Sequence, residues 1–195
     1  MQSMSGSAAP VGEGTHVASH AMRVVGGVAR GRRLSAPPGL STRPTSDRVR
    51  ESVFNMLMSL DAVDGAVAAD LFAGTGALGI EALSRGAASC VFVDSDPGAV
   101  RVIRANVEQT GVAGARVVRA DAARWVEGAG PFDLVFCDPP YTFADWSDLF
   151  GALDAELVVA ESDREVEAPQ GWEVLKTRRY GGTVVTLVRR KKGAA

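Results

Sequence analysis

The sequence predicts a single doubly wound α/β domain with a short basic extension at its N-terminus, and three observations carry that reading. Strand-length apolar runs alternate with helical periodicity between Ala66 and Arg119, the pattern of parallel βαβ units. A glycine-rich turn, Gly74-Thr75-Gly76-Ala77-Leu78-Gly79, joins the first of these runs to the helix after it. A further apolar run, Phe132–Cys137, stops at Asp138-Pro139-Pro140-Tyr141, because proline cannot donate into a central ladder.

The 195 residues give room for one well-buried core, and the composition is that of an ordinary globular chain: 46% hydrophobic, 23% charged, net charge −2. No apolar run approaches the roughly 20 residues that cross a bilayer, and the leading residues lack a basic-then-apolar signal pattern. Membrane and secreted classes are therefore set aside. Cys90 and Cys137 each lie in an apolar run without the paired spacing of a zinc or redox motif, so they read as buried reduced thiols of a cytoplasmic protein, and no metal site is expected.

Residues 1–21 are rich in Gly, Ser and Ala, hold both histidines (His16 and His20), and have no periodicity; they read as disordered, or as a segment added for expression. A basic extension follows over residues 22–45, in which Arg23 to Leu34 reads as two short strands around glycines, a hairpin ended by Pro37, Pro38 and Gly39. The main domain spans 46–195. Ser46 and Asp47 offer N-cap oxygens to a helix over about 47–60, whose apolar face is Val49, Val53, Phe54, Met56 and Leu57.

The alternation then runs strand 66–72, helix 77–85, strand 90–93, helix 97–110, strand 115–119 and strand 132–137. A helix near 147–153 and a strand at 157–160 come next, and strands 172–176 and 183–188 close the chain as an antiparallel hairpin through Gly181-Gly182.

The near-zero net charge hides two basic stretches. Between Arg23 and Arg50 stand Arg23, Arg30, Arg32, Arg33, Arg43, Arg48 and Arg50 against the single acid Asp47. Between Lys176 and Lys192 stand Lys176, Arg178, Arg179, Arg189, Arg190, Lys191 and Lys192 with no acid. Such asymmetry suits a polyanion, although solubilising surface charge gives the same pattern.

Gly74, Gly76 and Gly79 satisfy G-x-G-x-x-G, which alone suits any nucleotide-like cofactor. Asp94 follows Gly74 by 20 residues, at the end of the second strand, where a carboxylate can hold ribose hydroxyls in either NAD or S-adenosylmethionine. Asp70, just before Phe72-Ala73-Gly74-Thr75-Gly76, tips the balance towards S-adenosylmethionine, because a carboxylate attracts an ammonium and a sulfonium but repels a pyrophosphate. Asp121, after the third strand, either accepts from an adenine amino group or caps a short helix over Ala122 to Trp125.

Asp138-Pro139-Pro140-Tyr141 holds in four residues what methylation of a base amine requires. The lone pair of such an amine is delocalised into the ring. The Asp138 carboxylate and the Pro139 carbonyl can both accept from the amine hydrogens and localise that pair, while the prolines fix the carbonyl. Tyr141 offers a ring on which an extruded base stacks, and Phe143 or Trp146 would extend it.

Taken together, Arg23-Val24-Val25-Gly26-Gly27, Arg43-Pro44-Thr45-Ser46-Asp47-Arg48-Val49-Arg50-Glu51, the glycine loop and Asp138 to Tyr141 resemble the RsmD-type methyltransferases, which form N2-methylguanine in 16S ribosomal RNA. The likeness runs from Arg23 to about Arg190. It implies a class I, Rossmann-like fold with a seven-stranded sheet, a monomer, and a substrate RNA assembled with proteins of the small ribosomal subunit. It also implies that Arg43, Thr45 and Arg48 lie near the methionine end of the cofactor or the target base, Gly74 and Gly76 beside the cofactor, Asp94 at its ribose, and Asp138 to Tyr141 at the guanine. Arg30, Arg32, Arg33 and Arg48 are the expected RNA contacts.

Three other readings compete. Adenine-N6 methylation of DNA or RNA uses the same amine geometry, but no sizeable target-recognition domain is present. An NAD-dependent oxidoreductase would leave Asp138 to Tyr141 unexplained. A non-catalytic RNA-binding module would account for the basic ends and not for the glycine loop.

Overall fold

The computed structural model describes residues 22–36 and 46–193. Its elements in chain order are α1 (Asp47–Met58), β1 (Val67–Leu71), α2 (Ala77–Ser84), β2 (Ser89–Asp94), α3 (Pro97–Thr110), β3 (Ala115–Arg119), α4 (Ala122–Trp125), β4 (Phe132–Cys137), α5 (Trp146–Ala152), β5 (Ala155–Ser162), β6 (Trp172–Tyr180) and β7 (Thr183–Arg190).

These form one seven-stranded sheet in the order β3-β2-β1-β4-β5-β7-β6, in which β7 alone runs against its neighbours. The chain builds outward from β1 through β2 to β3, then returns to β4 on the other side of β1. That reversal leaves a crevice at the C-terminal ends of β1 and β4, where open α/β sheets bind ligands. The central strands are apolar on both faces, because α1, α2 and α3 cover one side and α4 and α5 the other.

Helix α3 has the boundaries its sequence announces: Asp96 caps its N-terminus by accepting from the Gly98 N–H, Pro97 occupies the first turn, and Gly111 ends it at φ 61°. Helix α1 is capped by Ser46, as expected, but ends at Met58 rather than Leu60.

Three elements differ from the sequence reading. β5 and β6 are longer, because Glu156, Glu161 and the run from Thr177 to Tyr180 look like loop residues, yet β5 pairs with β4 from Ala155 and with β7 as far as Ser162, and β6 runs along β7 to Tyr180 past an irregularity between Val174 and Lys176. β6 is an edge strand, where exposed charges are tolerated and discourage pairing with a second chain. The N-terminal hairpin is short, with one isolated antiparallel bridge, Arg23 to Arg33, and with Val24 N–H donating to the Arg32 carbonyl at 3.0 Å and Leu34 N–H to the Met22 carbonyl at 2.8 Å. Its main chain also bonds to the body: Val25 and Gly26 N–H donate to Glu81 of α2 at 2.8 and 2.7 Å, and Val28 N–H donates to the Ser84 carbonyl at 2.8 Å. Val24, Ala29 and Leu34 are buried in the same core as α1 and α2, so this segment is packed onto the domain along α2.

Candidate active site

The glycine loop leaves β1 through a left-handed residue that is not glycine, Phe72 at φ 57°, followed by Gly74 at 55° and Gly76 at 75°. A non-glycine residue held there costs on the order of 1 kcal/mol and persists only where its surroundings enforce it. Here the Phe72 ring packs against Phe143, with centroids 5.4 Å apart. Gly79 has a different reason: a Cβ there would run into the Phe92 ring and come within 2.7 Å of the Cys90 Sγ, so its absence lets α2 lie close on β2.

Two carboxylates fasten the loop from below. Gly74 N–H donates to Asp94 Oδ2 at 2.8 Å, and Gly79 N–H donates to Asp70 Oδ2 at 2.9 Å. Asp94 Oδ1 also accepts from the Asp96 N–H at 2.9 Å. In a dinucleotide-binding loop such amides face a pyrophosphate; here the Gly74 and Gly79 amides already donate to side-chain carboxyl oxygens, which leaves them unavailable to an anion. Asp70 is only 2% exposed. Burial pushes its carboxyl up to about 8, against the lowering effect of the Gly79 donor and with a further upward contribution from Asp94. Asp70 therefore holds the loop from within, a role beside the cofactor-facing one that the sequence suggests for it. Burial also raises both cysteine thiols, and both are free and buried.

One strand across, Asp138 N–H donates to the Leu71 carbonyl at 3.5 Å, which ties Asp138-Pro139-Pro140-Tyr141 to the end of β1 beside the glycine loop. Pro139 is buried, Pro140 exposed, and the Phe143 N–H closes the turn on the Pro140 carbonyl at 2.8 Å. Tyr141 is 45% exposed and its hydroxyl lies 3.0 Å from Thr183 Oγ1, which holds the ring at the rim of the crevice.

Trp146 does not extend that platform. It is buried, edge-on to Phe143 at 5.4 Å, and part of an aromatic row running through Phe150 to Trp172 inside the second core. Phe143 is half-buried between Trp146 and Phe72, so it links the two loops rather than offering a free face.

Asp121 Oδ1 accepts from the Arg124 N–H at 3.1 Å and so caps α4. Sequence reasoning does not single out Glu161, yet β4 and β5 pair as Cys137 with Ala160, so Glu161 follows in register beside Asp138 and is buried. Its signal is the one that marks Asp70 and Asp138, an acid ending an apolar strand.

The basic residues separate into two groups. Arg30, Arg32, Arg33 and Arg48 are exposed, and of these Arg32 is tied to the body, donating to the Thr110 carbonyl at the end of α3. Arg50 is fully buried, donating to Asp47 at 2.8 Å and to the Arg23 carbonyl. In the C-terminal stretch, Arg189 pairs with Glu173 at 2.7 Å, and Arg190 donates to the Ala155 carbonyl while stacking on Trp172. Arg43 and Thr45 lie outside the described residues. Among the described residues no group of acids, histidines and cysteines is placed to hold a metal ion, and no helix is long and apolar enough to cross a membrane.

Strand order, reversed β7, glycine loop and Asp-Pro-Pro-Tyr turn together define a class I methyltransferase fold. A 34% identical solved structure, yhhF from Escherichia coli, has the same architecture, with a TM-score of 0.77 over 88% of this chain and 98% of that one. The chain belongs to the family described as conserved hypothetical protein 95, the RsmD type, whose model matches residues 22–189. Among its relatives is ribosomal RNA small subunit methyltransferase D of Escherichia coli, 33% identical over 90% of this chain and 93% of the relative. At the level of fold alone, it is also similar to the Streptococcus mutans protein SMU.776, solved in complex with SAH: 16% identity and a TM-score of 0.59 over 73% of this chain and 48% of that one.

Proposed function

We propose that this protein methylates ribosomal RNA of the small subunit with S-adenosylmethionine as donor, and that its target is the exocyclic N2 amine of a guanine in 16S RNA. One observation carries the reading: Asp138 to Tyr141 and the carboxylate-lined glycine loop end adjacent strands, joined by the Asp138 to Leu71 hydrogen bond. Amine-binding and cofactor-binding groups thus face one crevice.

The residues present fit S-adenosylmethionine. Asp94 and the main chain of Phe72 to Gly76 would hold it, and the Asp94 carboxylate beside the loop favours a cationic ligand over a dinucleotide, with Asp70 able to ionise once a cation is near. Bound there, it supplies an electrophilic methyl group on a sulfonium. Asp138 accepts from one amine hydrogen and the Pro139 carbonyl from the other, so the nitrogen lone pair points at the methyl group. Tyr141 stacks on the base. Much of the rate then comes from orientation and from electrostatic stabilisation of the positive charge that develops on nitrogen, and Asp138 is the group placed to receive its proton.

The test is to incubate the protein with radiolabelled S-adenosylmethionine and small-subunit particles from cells lacking the enzyme, then digest the RNA and identify the labelled nucleoside. Label in N2-methylguanosine is expected. Label in N6-methyladenosine would replace guanine by adenine as the target.

A further inference from the structure

Asn106 is a fully buried polar residue inside α3, distant in sequence from both loops of the candidate site, and nothing in the proposed reaction uses it. A buried amide is costly unless its hydrogen bonds are met, and here both its donors are. Asn106 Nδ2 donates to the Thr75 carbonyl at 2.9 Å and to the Ser35 carbonyl at 3.0 Å, while Oδ1 accepts from the Ser35 N–H at 2.8 Å. One side chain thus pairs with both main-chain groups of Ser35, as a neighbouring strand would, and holds the glycine loop with its remaining hydrogen.

Thr75 stands between Gly74 and Gly76, both in left-handed conformations, and its carbonyl is restrained by a side chain outside the loop. The other end of the N-terminal segment reaches it too: Met22 Sδ lies 3.9 Å from Thr75 Oγ1. From Ala36 the chain enters residues 37–45, which include Arg43 and Thr45, and returns at Ser46 to cap α1.

We propose that Asn106 is a positioning residue that couples occupancy of the glycine loop to the N-terminal segment at Ser35. Fixing the Thr75 peptide by a bound ligand fixes the Asn106 amide, and through it the main chain of Ser35. By linkage the effect is mutual: whatever factor the anchored segment adds to ligand affinity, the ligand returns as order in the segment. The chemistry admits only asparagine. Aspartate would set a carboxylate against two carbonyl oxygens, and leucine, of the same branched shape, offers no hydrogen bond.

The inference rests on the S-adenosylmethionine reading, and the experiment separates the two. The full-length protein and its Asn106→Leu variant are titrated calorimetrically with S-adenosylhomocysteine, and amide exchange at Leu34, Ser35 and Ala36 is followed with and without it. In the unaltered protein the ligand is expected to slow Ser35 exchange severalfold. In Asn106→Leu the Kd is expected to rise about tenfold, as the loss of one to two net hydrogen bonds gives, and the ligand effect on Ser35 to vanish. Ser35→Pro, which removes one donor from an exposed residue, serves where Asn106→Leu does not fold, with a rise of about fivefold.

No binding to the unaltered protein overturns the cofactor reading and this inference with it. Binding that leaves Ser35 exchange indifferent, or variants that melt earlier yet keep the unaltered Kd, make Asn106 a staple only and overturn the coupling.

Discussion

Glu81 accepts the Gly26 N–H at 2.7 Å, across 55 residues of sequence, and that carboxylate is fully buried. It also accepts from Val25 at 2.8 Å and from Arg85 Nε at 2.7 Å. One acid of α2 therefore holds both the N-terminal segment and the partly buried Arg85 guanidinium. Glu81→Ala leaves these donors without their acceptor, and removing one partner of a buried pair costs about 3–5 kcal/mol. The expected outcome is a midpoint of denaturant unfolding well below that of the unaltered protein, while Glu81→Gln recovers part of the loss. An unchanged midpoint for Glu81→Ala would show that the segment is held by its apolar residues alone.

Asp138→Ala removes the proposed acceptor of the amine hydrogens without touching the core, since Asp138 lies past the end of β4. Loss of one such group lowers kcat by about 10²–10³-fold. S-adenosylhomocysteine affinity and melting temperature are expected to stay near the unaltered values. A variant that still transfers methyl groups at the original rate would remove Asp138 from the reaction.

Asp70 makes stability and ligand binding pH-dependent. Its carboxyl titrates near 3.8 when unfolded and is pushed up to about 8 when folded. Between those values the folded protein holds a proton that the unfolded chain has given up, so this residue lowers stability as pH rises from about 4 to about 8. Asp70→Asn keeps an acceptor for the Gly79 N–H and cannot ionise. The expected outcome is a flatter stability curve across that window, with the variant the more stable protein at pH 8. A cationic ligand nearby lowers the Asp70 value, so binding at pH 7 releases a proton. Calorimetric enthalpy should then depend on the ionisation enthalpy of the buffer, and lose that dependence in the variant. Parallel stability curves for the two proteins would show that Asp70 does not titrate in this range.

The parts of the fold that follow from local signals were legible in the sequence. Asp96, Pro97 and Gly111 bound α3, and the prolines after Cys137 end β4, because caps and missing donors act within a few residues. The glycine loop was legible for the same reason. What stayed hidden depends on partners distant in the chain. Thr177 to Tyr180 look like a loop until β7 pairs with them, and Arg23 to Leu34 look like a hairpin by itself until Glu81 and Ser84 take some of its main-chain donors. Glu161 becomes part of the candidate site only when Cys137 and Ala160 are seen to pair. Charge counting had the same limit, since it treats Arg50 and Arg190 as surface cations although both spend their guanidinium groups on main-chain carbonyls.

The arginines of the N-terminal segment divide by geometry, and RNA affinity should divide with them. Arg30 and Arg33 are exposed and pair with no acid among the described residues, so each is placed to meet a phosphate. Arg32 is committed to the Thr110 carbonyl. Each phosphate left without its arginine lowers the slope of log affinity against log salt by about 1. Arg30→Ala and Arg33→Ala are therefore expected to weaken binding to small-subunit RNA at low salt, each reducing the slope by about 1 while melting temperature stays put. Arg32→Ala is expected to do the reverse, lowering the melting temperature through the uncapped end of α3 with a smaller effect on the slope. A salt slope that falls equally for all three substitutions would mean that Arg32 leaves Thr110 when RNA binds. A slope unchanged by any of them would take the segment out of RNA recognition and leave Arg48 and the exposed cations of β6 as the residues to test next.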